Sequence, residues 1–205
     1  MIFKQYCIIL GGVLLTTSNI NVVASQTPEV SGPAFKIQVG EVRKTKRLRN
    51  GEEIIREETR VDDKTVKVTR SNGCNTTHTT EDRYAPNLSW EKCNDSRKWH
   101  SGEVTKFERE GSLWPFKVGN KVKYNYTRAN VDGQRFTGTK MSCEVAATET
   151  VNVPAGEFDT YRIDCKYPWM KQSFWYAPSV DRNVKFERDH KKRGKTQSVL
   201  AEIIQ

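Results

Sequence analysis

The sequence predicts an all-β, mainly antiparallel fold: a curved sheet or partly open barrel stapled by two disulfides. Three observations carry this expectation. Apolar residues alternate with polar ones over short runs, and no dozen residues beyond the N-terminus sustain a 3.6-residue period. Turn dipeptides separate the runs, among them Asn50-Gly51, Asp62-Asp63, Asn72-Gly73 and Asp132-Gly133. Four cysteines, Cys74, Cys93, Cys143 and Cys165, remain after an N-terminal segment that reads as an export signal.

In that segment, residues 1–24, Lys4 is the only charge, and Tyr6 to Leu15 form an apolar run. The run matches a signal-peptide core and falls short of the ~20 residues a membrane helix needs. Val22-Val23-Ala24 precedes a cut at Ser25, so cleavage is expected over an uncleaved anchor. No lipobox-like run precedes Cys7. A flexible segment (25–33) and a single β-rich domain (34–205) should follow, in the periplasm or outside the cell and with no transmembrane segment in the mature chain. The 205 residues carry 34 Lys+Arg against 25 Asp+Glu, and charged residues are spread along the length, which excludes a multi-span membrane protein or a coiled coil.

Along the domain, 34–70 reads as a β-meander. Phe35, Ile37 and Val39 alternate with polar residues, and 52–60 (EEIIREETR) is read as strand because turns flank it closely. Residues 71–103 are polar and hold two cysteines, so a stapled loop with at most one short strand is expected. Leu113 to Gly119 is an apolar entry to a strand bearing Val122, Tyr124 and Tyr126. Strands are expected at 135–141, 184–187 and 196–204. Two strings recur in order: Tyr84-Ala85-Pro86 with Tyr176-Ala177-Pro178, and Lys106-Phe107-Glu108-Arg109 with Lys185-Phe186-Glu187-Arg188. Two duplicated β units, 34–110 and 113–205, would explain them, as would chance.

Four cysteines allow three pairings, and counting does not choose among them. Strand geometry gives a hint. Segments 142–153 and 158–167, joined by Pro154-Ala155-Gly156-Glu157, read as a hairpin. A symmetric register sets Cys143 opposite Cys165, Val145 opposite Ile163 and Ala147 opposite Tyr161 on one face. A Cys143–Cys165 bond follows, leaving Cys74–Cys93 to close a loop. Cys74, His78, Cys93 and His100 could instead form a zinc site, but their spacing matches no common module and exported thiols oxidise. No metal and no cofactor is expected.

No motif carries catalysis. His78, His100 and His190 lie in polar stretches outside any HExxH or nucleophile elbow, and Glu52-Glu53 and Asp62-Asp63 read as solvated surface. Two basic runs are candidate anion-binding sites: Arg43, Lys44, Lys46 and Arg47 in the first, and Lys191, Lys192 and Arg193 in the second. The plain alternative for both is a charged surface that discourages edge pairing. Trp114, Trp169, Trp175 and Tyr176 could line an aromatic cleft or simply fill the core.

Two further stretches complete a pattern. One is the hairpin string Thr150-Val151-Asn152-Val153-Pro154-Ala155-Gly156-Glu157-Phe158-Asp159-Thr160. The other runs from the Tyr176-Ala177-Pro178 turn to the strand ending at Glu187. With the Leu113–Gly119 entry they make the C-terminal half, over about 75 residues, resemble exported bacterial β-proteins of unknown function. The resemblance implies an antiparallel, barrel-like sheet in the periplasm and no particular activity.

The expected function is therefore an exported, non-catalytic binding or envelope-associated module with a basic surface. Its expected partners are an anionic envelope component (glycolipid, phospholipid headgroup or acidic polysaccharide) or a protein, and not nucleic acid. A carrier of lipid or another apolar ligand is the alternative, and a cell-wall polymer hydrolase comes third.

Overall fold

The computed structural model describes residues 36–93 and 97–204. The signal segment, the lead at 25–33 and Phe35 lie outside the described residues. Twelve antiparallel strands close into one barrel, each paired with its neighbours in sequence and β1 paired with β12. The strands are β1 (Val42–Arg49), β2 (Glu52–Arg60), β3 (Thr65–Arg70), β4 (Asn75–Thr79), β5 (Ser89–Glu91), β6 (Gly102–Gly111), β7 (Lys121–Asn130), β8 (Arg135–Val153), β9 (Gly156–Lys166), β10 (Met170–Ala177), β11 (Arg182–His190) and β12 (Gly194–Ile204). Only one short 3₁₀ turn, Pro178–Val180, interrupts them among the described residues.

Local chemistry sets the turns. Asn50 and Gly51 both take positive φ, at 51° and 90°. This is the two-residue reversal that an Asn-Gly pair makes without strain. It pairs Arg49 with Glu52 and fixes which β1 and β2 side chains face inward. The 52–60 segment is strand throughout. Helix would have placed Ile54, Ile55 and Glu58 on one side; period two instead sends Ile54, Arg56 and Glu58 in and Ile55 and Glu57 out.

Three sequence expectations need correction. Residues 71–103 hold two short strands, β4 and β5, where one at most was expected; without them the barrel wall would not close. Residues 135–153 form one long strand, where a break near 141 was expected. In the β8–β9 hairpin, Cys143 faces Cys165 and Val145 faces Ile163 as expected, but a bulge at Ala146 then shifts the register. Thr148, and not Ala147, therefore faces Tyr161, and the link shortens to Pro154-Ala155. The bulge lets the hairpin tip bend over the outside of β10–β12. There Val151, Val153 and Phe158 pack on Trp175, Val184 and Leu200, and the Ala155 amide donates to the Leu200 carbonyl.

Both disulfides form: Cys143–Cys165 across β8 and β9, and Cys74–Cys93 joining the residue before β4 to the segment just after β5. Such bonds persist in an oxidising compartment.

Twelve strands enclose more space than side chains alone fill. One end, the lower, carries the β4–β5 and β6–β7 connections, which fold inward as a plug. Tyr84 and Ala85 from the first and Leu113 and Phe116 from the second join Val122, Tyr124, Met141, Val145, Tyr161, Ile163 and Tyr176 in the main core. Trp114 stacks on Phe116 at 3.9 Å. The plug is pinned by Asp181, which accepts hydrogen bonds from Arg43 (3.0 Å), Arg83 (3.0 Å), the Tyr176 hydroxyl (2.7 Å) and the Lys36 amide (3.0 Å). Asp82 is pinned similarly by the Tyr124 hydroxyl and the Tyr84 amide. The two halves contribute six strands each; a Tyr-Ala-Pro string follows the fourth strand of the first and overlaps the end of the fourth strand of the second.

Candidate functional site

Above the plug the barrel holds a cavity of about 630 Å³ that opens at the other, upper end. The upper end is formed by the β1–β2, β3–β4, β5–β6, β7–β8, β9–β10 and β11–β12 turns. The wall divides into two arcs. From β11 through β12, β1 and β2 to β3 it is cationic, lined by Arg188, Arg47, Arg49, Arg56 and Arg70, with Lys192 and Arg193 at the rim. From β5 round to β10 it is aromatic, with Trp90, Tyr126, Tyr167 and Phe174 in the wall and Trp99 and Trp169 near the mouth.

The arginines face inward for a reason visible in the strands. In β3, Val66 and Val68 are fully buried, and Arg70 follows in the same phase. In β2, Arg56 follows Ile54 in phase. In β1, Thr45, Arg47 and Arg49 share the inward phase, while Lys44 and Lys46 point outward. Those two lysines pair with Glu57 (3.2 Å) and Glu202 (3.3 Å) on the outer face.

The charge balance inside is unusual. Burial of an ion is costly unless a counter-ion lies close. Among the described residues the cavity lining contains no Asp or Glu. Glu58 stands beside it and takes Arg56 at 2.7 Å. Arg47, only 7% exposed, donates to the Ser198 hydroxyl (3.0 Å) and the Asn183 carbonyl (2.8 Å) and meets no carboxylate among the described residues. Arg70 reaches Cys74 Sγ (3.1 Å) and Thr76 Oγ1 (3.5 Å). Among the described residues Arg188 reaches only Thr196 Oγ1 (3.3 Å), and its buried Nε has no partner there. Arg56 and Arg70 are directly opposite on paired strands, an arrangement that repels.

The pKa shifts record the same imbalance. Burial, aggravated by Arg56, pulls the Arg47 guanidinium down to about 9, and burial with Arg56 and Arg49 pulls Arg70 to about 9. Both remain charged at neutral pH. Burial would raise the Glu58 carboxyl, but Arg56, Arg83, Arg182 and His78 together hold it at about 2. His78, bonded to Thr76 Oγ1 at 2.9 Å, is driven to about 3 by burial and by Arg56 and Arg70, so its ring is neutral.

At the mouth, Arg128 lies between Trp99 (4.3 Å to the ring centroid) and Trp169 (4.2 Å). Its charge is held by the ring faces.

The basic residues singled out in the sequence thus separate. Arg47, Lys192 and Arg193 line one cavity, although 144 and more residues lie between them in the chain. Arg43 belongs to the lower plug, Lys44 and Lys46 to the outer wall, and Lys191 donates to the Pro168 carbonyl at 2.6 Å. Of the four aromatic candidates only Trp169 lines the cavity. Trp114 and Tyr176 belong to the plug and core, and Trp175 lies under the hairpin tip with its indole N–H on Glu149 (2.9 Å). Arg56, Arg70 and Arg188 were missed, and His78, weighed as a metal ligand, lines the cavity instead. The signal that would have found them is an arginine in phase with buried residues of the same strand.

Cys74 and Cys93 are joined to each other, so neither offers a thiolate to a metal. Among the described residues no group of three or more His, Cys, Asp or Glu is placed to hold a metal ion. No helix among them is long and apolar enough to cross a membrane.

No family model and no curated protein matches this chain. Two solved structures are similar to it at the level of the backbone. One is the hypothetical lipoprotein YmcC of Escherichia coli (K12), with 11% identity, covering 80% of this chain and 85% of that one, at a TM-score of 0.49. The other is a candidate exported protein with YmcC-like fold from Bacteroides fragilis, with 18% identity over 83% of this chain and 98% of that one, at a TM-score of 0.36. At these scores neither neighbour transfers a function to this chain.

Proposed function

We propose that this protein is an exported, non-catalytic binding barrel of the bacterial envelope that holds an organic anion with an apolar part in its interior. The observation that carries the reading is the two-arc cavity, with arginines lacking counter-charge on one side and an aromatic wall on the other. A ligand with an anionic head and an apolar body would satisfy both arcs at once. The reading joins the two leading expectations, an anion binder and a carrier, and moves the site from the outer surface to the interior. An anionic lipid fits the blind, plugged cavity better than a polysaccharide, which would have to thread through it. His78 in the cavity stays neutral and Glu58 beside it stays ionised across physiological pH. Neither is poised as a general acid or base near pH 7, which favours binding over hydrolysis.

The test uses two fluorescent probes of similar shape: anilinonaphthalene sulfonate, an anion, and N-phenyl-1-naphthylamine, which is neutral. The anion should bind saturably at one site per chain, at least about tenfold more tightly than the neutral probe, and should weaken as salt is added. Equal affinity for the two probes, or no saturable binding of either, refutes the proposal.

A further inference from the structure

The arginine arc also carries information about the charge of the head group. We infer that it is built for a phosphate monoester, a doubly charged head, whose attached chain lies along the aromatic arc toward the mouth. The inference rests on the binding reading above and narrows it.

Five guanidiniums face the cavity across the contiguous strands β11, β12, β1, β2 and β3: Arg188, Arg47, Arg49, Arg56 and Arg70. Glu58 compensates Arg56, and no carboxylate pairs with the other four among the described residues. A carboxylate head would bring one negative charge and two oxygens. A phosphate monoester brings close to two charges at neutral pH and three terminal oxygens.

Donor geometry agrees. A guanidinium is a planar fork suited to two parallel bonds onto phosphate oxygens. Arg188 has a buried Nε with no partner, and Arg56 Nε is in the same state. Among the described residues Arg70 is held only by neutral acceptors, on Cys74 and Thr76. These donors come from β11, β2 and β3 and line one cavity, so they approach a head with several oxygens from more than one side. A planar carboxylate could not meet more than two of them well. The weak internal bonding also leaves the forks free to turn onto a ligand without losing strong bonds.

The apolar arc sets what hangs from the phosphate. Trp90, Tyr126, Tyr167 and Phe174 offer faces and no charge on the side opposite the arginines. A flexible acyl or alkyl chain can follow that wall toward the mouth, where Arg128 fills the space between Trp99 and Trp169. Free inorganic phosphate would use the arginines and leave this wall unused.

The experiment measures displacement of bound anilinonaphthalene sulfonate at pH 8 by four compounds: dodecyl phosphate, its methyl ester, dodecyl maltoside and inorganic phosphate. Dodecyl phosphate and its methyl ester share chain and phosphorus centre and differ by one charge. The inference predicts that the dianion binds at least about tenfold more tightly than the monoanionic ester, and the maltoside more weakly than either. Arg188→Met and, separately, Arg70→Met should shrink the dianion-to-ester ratio toward one while near-ultraviolet circular dichroism stays that of the folded barrel. If one variant fails to fold, the other carries the comparison. Equal affinity for dodecyl phosphate and its ester overturns the doubly charged head and leaves the anion-binding barrel standing. Displacement by the maltoside as readily as by the anions overturns both. Inorganic phosphate displacing as well as dodecyl phosphate would keep the dianion site and overturn the chain along the aromatic wall.

Discussion

Replacing Arg70 by methionine should make the ligand-free barrel more stable, although it removes a buried, hydrogen-bonded side chain. Arg70 lies directly opposite Arg56 on the paired strand. Burial and the facing Arg56 both disfavour the Arg70 charge, while Glu58 beside Arg56 offsets part of the repulsion; for two unit charges roughly 6 Å apart at an effective dielectric constant of about 20 that repulsion is at most about 3 kcal/mol. Against this, Arg70 gives up contacts of 3.1 to 3.5 Å to Cys74 and Thr76, together worth about 1 kcal/mol at that length. Methionine keeps the volume and adapts its shape to the neighbouring Val68 phase. The net expectation is a gain of about 1–2 kcal/mol, or a rise in Tm of roughly 2–8 °C for a domain of this size. The assay is urea denaturation of wild type and variant after ligand removal on a hydrophobic resin, with tryptophan fluorescence as the readout. The same substitution should weaken binding of anionic probes, so stability and binding move in opposite directions. A loss of 1 kcal/mol or more in the ligand-free variant would refute the reasoning, because it would mean that the guanidinium is already well compensated inside the barrel.

Further outcomes follow from other parts of the molecule. Glu58→Gln should cost about 3–5 kcal/mol, since it strips the one carboxylate from Arg56, and denaturant titration reads this directly. Acid should destabilise the barrel in two stages. His78 is lowered to about 3 in the folded protein, so the unfolded chain binds a proton first as pH falls below about 6.5, and stability drops from there down to about 3. Glu58, also depressed, adds a loss between about 4.5 and about 2. His78→Gln should flatten the Tm-against-pH curve between pH 6.5 and 5, and an unchanged slope there would contradict the buried neutral ring. Gly102→Ala would set a Cβ 2.4 Å from the Ala129 carbonyl and from the Trp90 ring; a loss of about 1–3 kcal/mol by thermal denaturation is expected. Removing Cys143–Cys165 by a double serine substitution opens a link between residues 22 apart. It should cost about 3 kcal/mol while leaving probe affinity unchanged, because that bond lies in the filled core.

Much of the wall was legible in the sequence. Period-two alternation marks the strands, Asn50-Gly51 marks the first reversal, and the in-phase Cys143 and Cys165 predict their bond. What the sequence hid were long-range consequences. Closure of the barrel depends on β1 meeting β12, a contact between the ends of the domain with no local signal. The short strands β4 and β5 have polar composition because their inward residues, such as Thr76 and His78, face a wet cavity and not a core. The bulge at Ala146 arises where the hairpin must bend over the outer face, and alanine at that position gives no hint of it.

The candidate site shows the same division. Lys192 and Arg193 announce themselves as a charged run. Arg56, Arg70 and Arg188 look like members of a wet strand face until their phase is compared with that of Ile54, Val68 and Phe186 beside them. Charge identity points outward and strand phase points inward, and here phase prevails because a wide barrel leaves room for solvated or ligand-bound arginines. Trp175 misled for the complementary reason: its aromatic character suggests a cleft, while plain alternation with the inward Phe174 and Tyr176 sends it to the outside under the β8–β9 tip.

The account turns on whether the arginine arc receives an anion from outside the chain. The most direct measurement is a crystal structure of the protein soaked with dodecyl phosphate. The account predicts phosphate oxygens about 2.7–2.9 Å from the guanidinium nitrogens of Arg70 and Arg188, with the chain along Trp90 and Phe174. A phosphate seated on the outer wall by Lys44 and Lys46, with the interior arginines holding water alone, would contradict it.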